Sequence, residues 1–114
     1  MPPRRDITRT IESSGVVAVI RLTDPSKLRA VIDALAAGGV RALEVTMTVP
    51  GAIRLIEQIA PSLPEGFVLG AGTVLDPETA RQAILAGARF VVGPVFNEAV
   101  VRLCHRYDVA AMPG

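Results

Sequence analysis

Hydrophobic positions along this chain alternate between two patterns. Short runs rich in β-branched residues occur at Val16–Arg21, Ala42–Thr46, Phe67–Gly70, Phe90–Val92 and Val109–Met112. Between them the apolar residues recur at helical spacing. Leu28, Val31, Ile32 and Leu35 form one stripe, and Ala52, Leu55, Ile56 and Ile59 a second. Ala80, Ala83 and Ile84 form a third, and Val100, Leu103 and Cys104 a fourth. The runs predict strands, and the stripes predict helices with a single buried face. Ile7 and Ile11 predict a further short helix within residues 1–14, leading into the first strand. The punctuation agrees. Asp24-Pro25 and Asp76-Pro77 each offer a capping carboxylate followed by a proline at the first helical position, and Asn97 offers another cap. Gly38-Gly39 and Gly87 end helices, and Pro61 and Pro64 close the second of the four.

The strand runs recur at intervals of roughly 20 to 26 residues, the rhythm of βα repeats. Two architectures share that rhythm, the doubly wound open sheet and the (β/α)₈ TIM barrel. The barrel is favoured on two grounds. Arg21, Thr46, Thr73, Pro94 and Pro113 lie at the C-terminal ends of successive runs, where barrel sites assemble. Glu44 also interrupts an apolar run. An open sheet covered on both faces leaves a mid-strand carboxylate few places to go, whereas a barrel interior near its mouth offers one. A complete barrel takes about 200 residues or more, and five strands do not close one. Residues 1–114 are therefore predicted to form a single partial barrel domain, belonging to a longer product or obliged to associate through its edge strands.

Composition narrows the class. Half of the 114 residues are hydrophobic and a fifth are charged, which excludes a disordered chain. The net charge of +1, from eleven Arg and one Lys against eleven acids, points to neither a nucleic-acid nor a membrane partner. With Cys104 alone there is no internal disulfide, and a cytoplasmic setting follows as the expectation. The basic N-terminus has no long apolar run after it, so neither a signal peptide nor a transmembrane span is predicted.

Glu44 carries the most chemistry. Alternation places Leu43 and Val45 on one face and Ala42, Glu44 and Thr46 on the other. Inside a barrel its carboxyl is desolvated and its pKa raised, as a proton-transfer group requires; at a solvated rim it is an ordinary strand Glu. Arg21 is either an anion-binding guanidinium in the mouth or a surface Arg. Gly70-Ala71-Gly72-Thr73 reads as a small-residue loop that admits a ligand to the backbone, or as a glycine turn capped by Thr73. It completes neither a dinucleotide fingerprint nor a P-loop. His105, the only histidine, sits late in a helix, where solvation suits it. One His and one Cys make no standard metal site, and Cys104 and His105 point apart. Lys27 falls in a first helical turn, a poor place for a Schiff base.

Gly15–Arg21, Ala37–Pro50, Gly70–Val74 and Met112–Gly114, in this order and spacing, resemble the bacterial aldolases for 2-keto-3-deoxy-6-phosphogluconate (KDPG), 4-hydroxy-2-oxoglutarate (KHG) and 2-keto-3-deoxy-6-phosphogalactonate. The Glu-Val-Thr segment combined with Gly-Ala-Gly-Thr-Val is the specific part. The resemblance implies a (β/α)₈ barrel, a homotrimer at full length, and no metal or cofactor. It implies reversible cleavage of a 2-keto-3-deoxy acid phosphate to pyruvate and an aldehyde through a Lys Schiff base. Glu44 matches the general acid/base, Thr73 the binder of the pyruvyl carboxylate, Arg21 an anion binder and Pro94 a residue lining the site. Gly72 joins Thr73 in the substrate-binding segment. Thr48 stands where some members carry an Arg, which leaves Arg21 as the anion binder. The Schiff-base Lys of the family belongs to the sixth strand, past Gly114, so residues 1–114 alone are expected to be inactive. Two other readings remain: a phosphate-binding barrel of the epimerase or isomerase kind, and an inactive half-barrel that self-associates.

Overall fold

The computed structural model describes residues 2–22 and 24–114, so Met1 of the predicted N-terminal segment lies outside the described residues. The elements run α1 (Arg4–Ser14), β1 (Val17–Ile20), α2 (Pro25–Ala37), β2 (Ala42–Thr46) and α3 (Ala52–Ile59). After a 3₁₀ turn at Ala60–Ser62 come β3 (Val68–Gly72), α4 (Pro77–Ala86), β4 (Phe90–Val92), α5 (Glu98–Arg106) and β5 (Ala110–Met112). All strands are parallel and lie in sequence order, β1-β2-β3-β4-β5, which is the order of a barrel wall. The open-sheet alternative, which reverses its strand order at a switch point, is thereby set aside.

The predicted caps form as chemistry demands. The Asp24 carboxylate accepts from the Ser26 N–H at 3.0 Å, and that of Asp76 from the Thr79 N–H at 2.7 Å. The Asn97 amide oxygen accepts from the Val100 N–H at 3.2 Å. Each satisfies a donor that the first helical turn leaves free. Helix α3 instead begins at Gly51, whose φ of 75° needs a glycine, and has no side-chain cap.

Side chains leave the sheet on two sides. Leu43, Val45, Leu69, Ala71, Val91 and Val109 face outward and are buried against the stripes of α2 to α5. Ala42, Val68, Phe90 and Ala110 face inward, where Ile7 and Ile11 of α1 pack against them. Helix α1 therefore underlies the inner face at its lower end, below the rows that carry Glu44 and Thr46.

Three strands differ in their bounds from the sequence reading. Strand β1 ends at Ile20, leaving Arg21 one residue beyond it, and β5 begins at Ala110. Strand β3 runs on through Gly72. Gly70-Ala71-Gly72, read from sequence as a loop, is a fully buried stretch of strand, for a reason that lies in the site.

Candidate functional site at the C-terminal ends of β1 to β4

The register sets the site. Val19, Glu44 and Gly70 lie in one row across β1, β2 and β3, and Thr46 and Gly72 in the row two residues above. A Cβ at Gly72 would overlap the Glu44 carboxyl and come within 2.9 Å of its Cγ. A Cβ at Gly70 would overlap the Phe90 ring. The glycines thus keep β3 bare on its inner face, and the side chains of β2 and β4 lean into the space. This corrects the expectation for Gly72 and its neighbours. Their missing side chains make room first for Glu44 and Phe90 of this chain.

Glu44 is half-buried. Burial pushes its carboxyl above the usual range, and the positive charge of Arg21 draws it part of the way back. Arg21 itself is exposed and forms no ion pair among the described residues. A carboxyl partly withdrawn from water with one offsetting cation holds its proton more readily than a free one, and such perturbed groups cluster at functional sites.

Three hydroxyls gather beside it. The Thr46 Oγ1 lies 3.0 Å from the Thr48 Oγ1 and 3.1 Å from the Thr73 Oγ1. Thr46 is buried, and Thr48 and Thr73 are more open. Thr73 holds φ at 56°, a left-handed conformation that a β-branched residue adopts only when its surroundings impose it. Here the Val74 N–H donating to the Val92 carbonyl at 3.1 Å and the Met47 N–H donating to the Gly72 carbonyl at 2.8 Å pin the chain on both sides. Sequence reading gave Thr73 and Thr48 a binding role and placed Thr46 only at a strand end, with no role of its own. The bond partners are 27 residues apart in the chain, so no local pattern announces them.

Of the expected residues, the structure gathers Glu44, Gly72, Thr73 and Thr48, and sets Arg21 within electrostatic reach of Glu44. Pro94 is exposed on the loop after β4, where its carbonyl abuts Gly114 at the end of the next loop. Lys27 and His105 are exposed on α2 and α5. A hollow of about 630 Å³ lies elsewhere, between α1 and β5, and Glu44 does not line it. It contains no interior carboxyl and no strained residue, so the chemistry points to the strand ends. No cluster of three or more metal-ligating side chains occurs among the described residues, and no helix there is long and apolar enough to cross a membrane.

A model of the KDPG and KHG aldolases matches residues 7–114. The chain belongs to this aldolase family. It is 39% identical over 108 residues to the 2-dehydro-3-deoxy-phosphogluconate aldolase of Treponema pallidum, covering 95% of this chain and 51% of that protein. It is 41% identical over 81 residues to the KHG/KDPG aldolase of Escherichia coli K12, covering 71% and 38%. The crystal structure of the Zymomonas mobilis ZM4 KDPG aldolase with 3-phosphoglycerate superposes with a TM-score of 0.83 at 33% identity, over 97% of this chain and 52% of that one. The Legionella pneumophila KDPG aldolase, with pyruvate captured as a covalent carbinolamine, superposes with a TM-score of 0.77 at 31% identity, over 86% and 47%. The chain thus spans about half the length of the aldolases it matches. The barrel neighbours agree with five parallel strands forming part of a (β/α)₈ wall.

Proposed function

We propose that the protein carrying this chain is a class I aldolase that cleaves 2-keto-3-deoxy-6-phosphogluconate, or a close relative, to pyruvate and glyceraldehyde 3-phosphate. The supporting observation is the Glu44 carboxyl: it stands inside the strand wall at its open end, desolvated, lodged against Gly72. In this reading a Lys of the sixth strand, in sequence after Gly114, forms the Schiff base with the keto carbon. Glu44 as the acid gives a proton to the hydroxyl that leaves as water while the Schiff base forms. As the carboxylate it accepts the proton of the substrate hydroxyl whose carbon departs as the aldehyde. The raised pKa makes the protonated form easier to reach than for a free carboxyl.

The remaining residues bind. The hydroxyls of Thr73 and Thr48, joined through Thr46, receive the carboxylate end of the keto acid, beside the backbone of Gly72. Arg21 attracts the anionic substrate from the rim, and Pro94 walls the side next to β4. The full-length protein works as a cytoplasmic homotrimer without a metal or cofactor.

The test uses the protein as expressed from its gene. Borohydride reduction in the presence of pyruvate should trap one adduct, on a Lys later than Gly114. An adduct on Lys27 would overturn the assignment. Glu44→Gln should lower kcat by about 100-fold or more, the usual scale for a lost proton-transfer group; unchanged turnover would remove Glu44 from the mechanism.

A further inference from the structure

We propose that Phe90 is a positioning residue for Glu44: seated in the space that Gly70 leaves open, its ring fills the inner row beside the Glu44 stem and obliges the carboxyl to stand against Gly72, at the open end. The proposal rests on Glu44 being the proton carrier.

The register carries the argument. Glu44 is paired with Gly70, and Gly70 with Phe90, so all three lie in one row of the inner face. Neighbouring strands are about 4.8 Å apart, so a ring lying over Gly70 reaches the column of Glu44. A Cβ at Gly70 would strike three ring carbons, Cδ2, Cε2 and Cζ, which puts the ring flat on the backbone there. Phe90 is fully buried, with Val68, Ala42, Ala110 and Ile7 around it. Two openings exist on the bare inner face of β3, above Gly70 and above Gly72. The ring occupies the lower one, and the carboxyl takes the upper one, the end from which a substrate arrives.

The ring also excludes water from the lower side of Glu44. The groups that face this carboxyl are few. From β1 comes Arg21, and from β2 the hydroxyl of Thr46. The inner positions of β3 and β4 are Val68, Gly70, Gly72, Phe90 and Val92, and α1 contributes Ile7 and Ile11 below. Arg21 is therefore the one charge among the described residues that face it; the Schiff-base Lys of the proposed function would be a second charge, present alike in every variant compared, so a change on altering Phe90 reports how dry this row is, in line with the raised pKa.

Carbon-detected NMR titration of the Glu44 carboxyl, its signal assigned with Glu44→Gln, tests this in the protein as expressed. Phe90→Leu and Phe90→Met open the space over Gly70 with apolar side chains of lower bulk. Each should lower the Glu44 midpoint by at least about half a pH unit as water enters. Gly70→Ala combined with Phe90→Leu refills the opening and should return the midpoint toward the parent value. A midpoint unmoved in both single variants overturns the proposal. So does a shift that the double variant fails to reverse, because that pattern marks general loosening. The titration needs no turnover. If Glu44→Gln retained activity, the aldolase role of Glu44 would fail while the titration still judged the seating of Phe90.

Discussion

Gly72→Ala is the sharpest probe of the site, because its effect should reverse sign with the residue at position 44. In the parent, the new Cβ lands on the Glu44 carboxyl and within 2.9 Å of Cγ, so the half-buried side chain must swing away from the inner face of β3. Overpacking of this kind costs typically 1–3 kcal/mol, so a loss of about 2 kcal/mol is expected. With Glu44→Ala in the background the obstruction is gone. The same substitution should then stabilise by roughly 0.5 kcal/mol, since Ala loses less backbone freedom than Gly in a strand. The coupling between the two sites is thus about 2.5 kcal/mol, well above the few tenths expected of independent positions. Urea unfolding followed by circular dichroism reads it directly. At an m-value of about 1–3 kcal/mol per molar, the single variant should lower the midpoint by roughly 1 M and the double should raise it slightly relative to Glu44→Ala. Equal effects of Gly72→Ala in the two backgrounds would show that Glu44 does not occupy the space over Gly72, and the geometry of the site would have to be abandoned.

Three further outcomes follow from the same structure. Burial raises the folded-state pKa of Glu44, so its ionisation stabilises the folded chain less than the unfolded one, and that loss sets in as pH rises from the ordinary carboxyl range through the folded value. Glu44→Gln should therefore gain stability relative to the parent at pH 7 and lose that gain at pH 4; a gain independent of pH would refute the desolvation. Asp76 behaves oppositely: its bonds to the Thr79 N–H and hydroxyl lower its pKa, so its contribution is present above the ordinary carboxyl value and fades as pH falls through the folded one. Asp76→Ala should cost about 1 kcal/mol at pH 7 and much less at pH 2, measured by thermal melts. The Cys104 thiol, fully buried and pushed up to about 11, should react with iodoacetamide at pH 8 at least about 100-fold more slowly than after unfolding; equal rates would place it at the surface.

How much of this could be read from the chain depends on the range of the interaction concerned. Caps act over two or three residues, and Asp24, Asp76 and Asn97 were legible because a short polar side chain before a helical stripe has little else to do. The inward setting of Glu44 follows from alternation within one strand. The extent of β3 did not follow, because Gly70 and Gly72 look like a loop until their neighbours are known. A glycine inside a strand marks the close approach of something else, but the intruders come from β2 and β4: Glu44 stands 28 residues before Gly72, and Phe90 stands 20 after Gly70. Phe90 was legible as strand and core, and its place over Gly70 was not. Thr73 shows the same limit. Its hydroxyl was expected to meet a ligand and lies beside that of Thr46, whereas its left-handed backbone is imposed by β2 and β4 and leaves no local trace in a Gly-Thr-Val sequence.

Helix α1 gives the strand wall a floor. Ile7 and Ile11 are wedged among Ala42, Val68, Phe90 and Ala110, so the inner face below Glu44 is closed there by apolar side chains. Among the described residues the carboxyl of Glu44 lies against Gly72, on the side of the loops after the strands, so a guest approaching past those loops meets it first. Substitutions in the rim loops can retune which guests are admitted while the acid, its glycine seat and the greasy plug beneath them stay as they are.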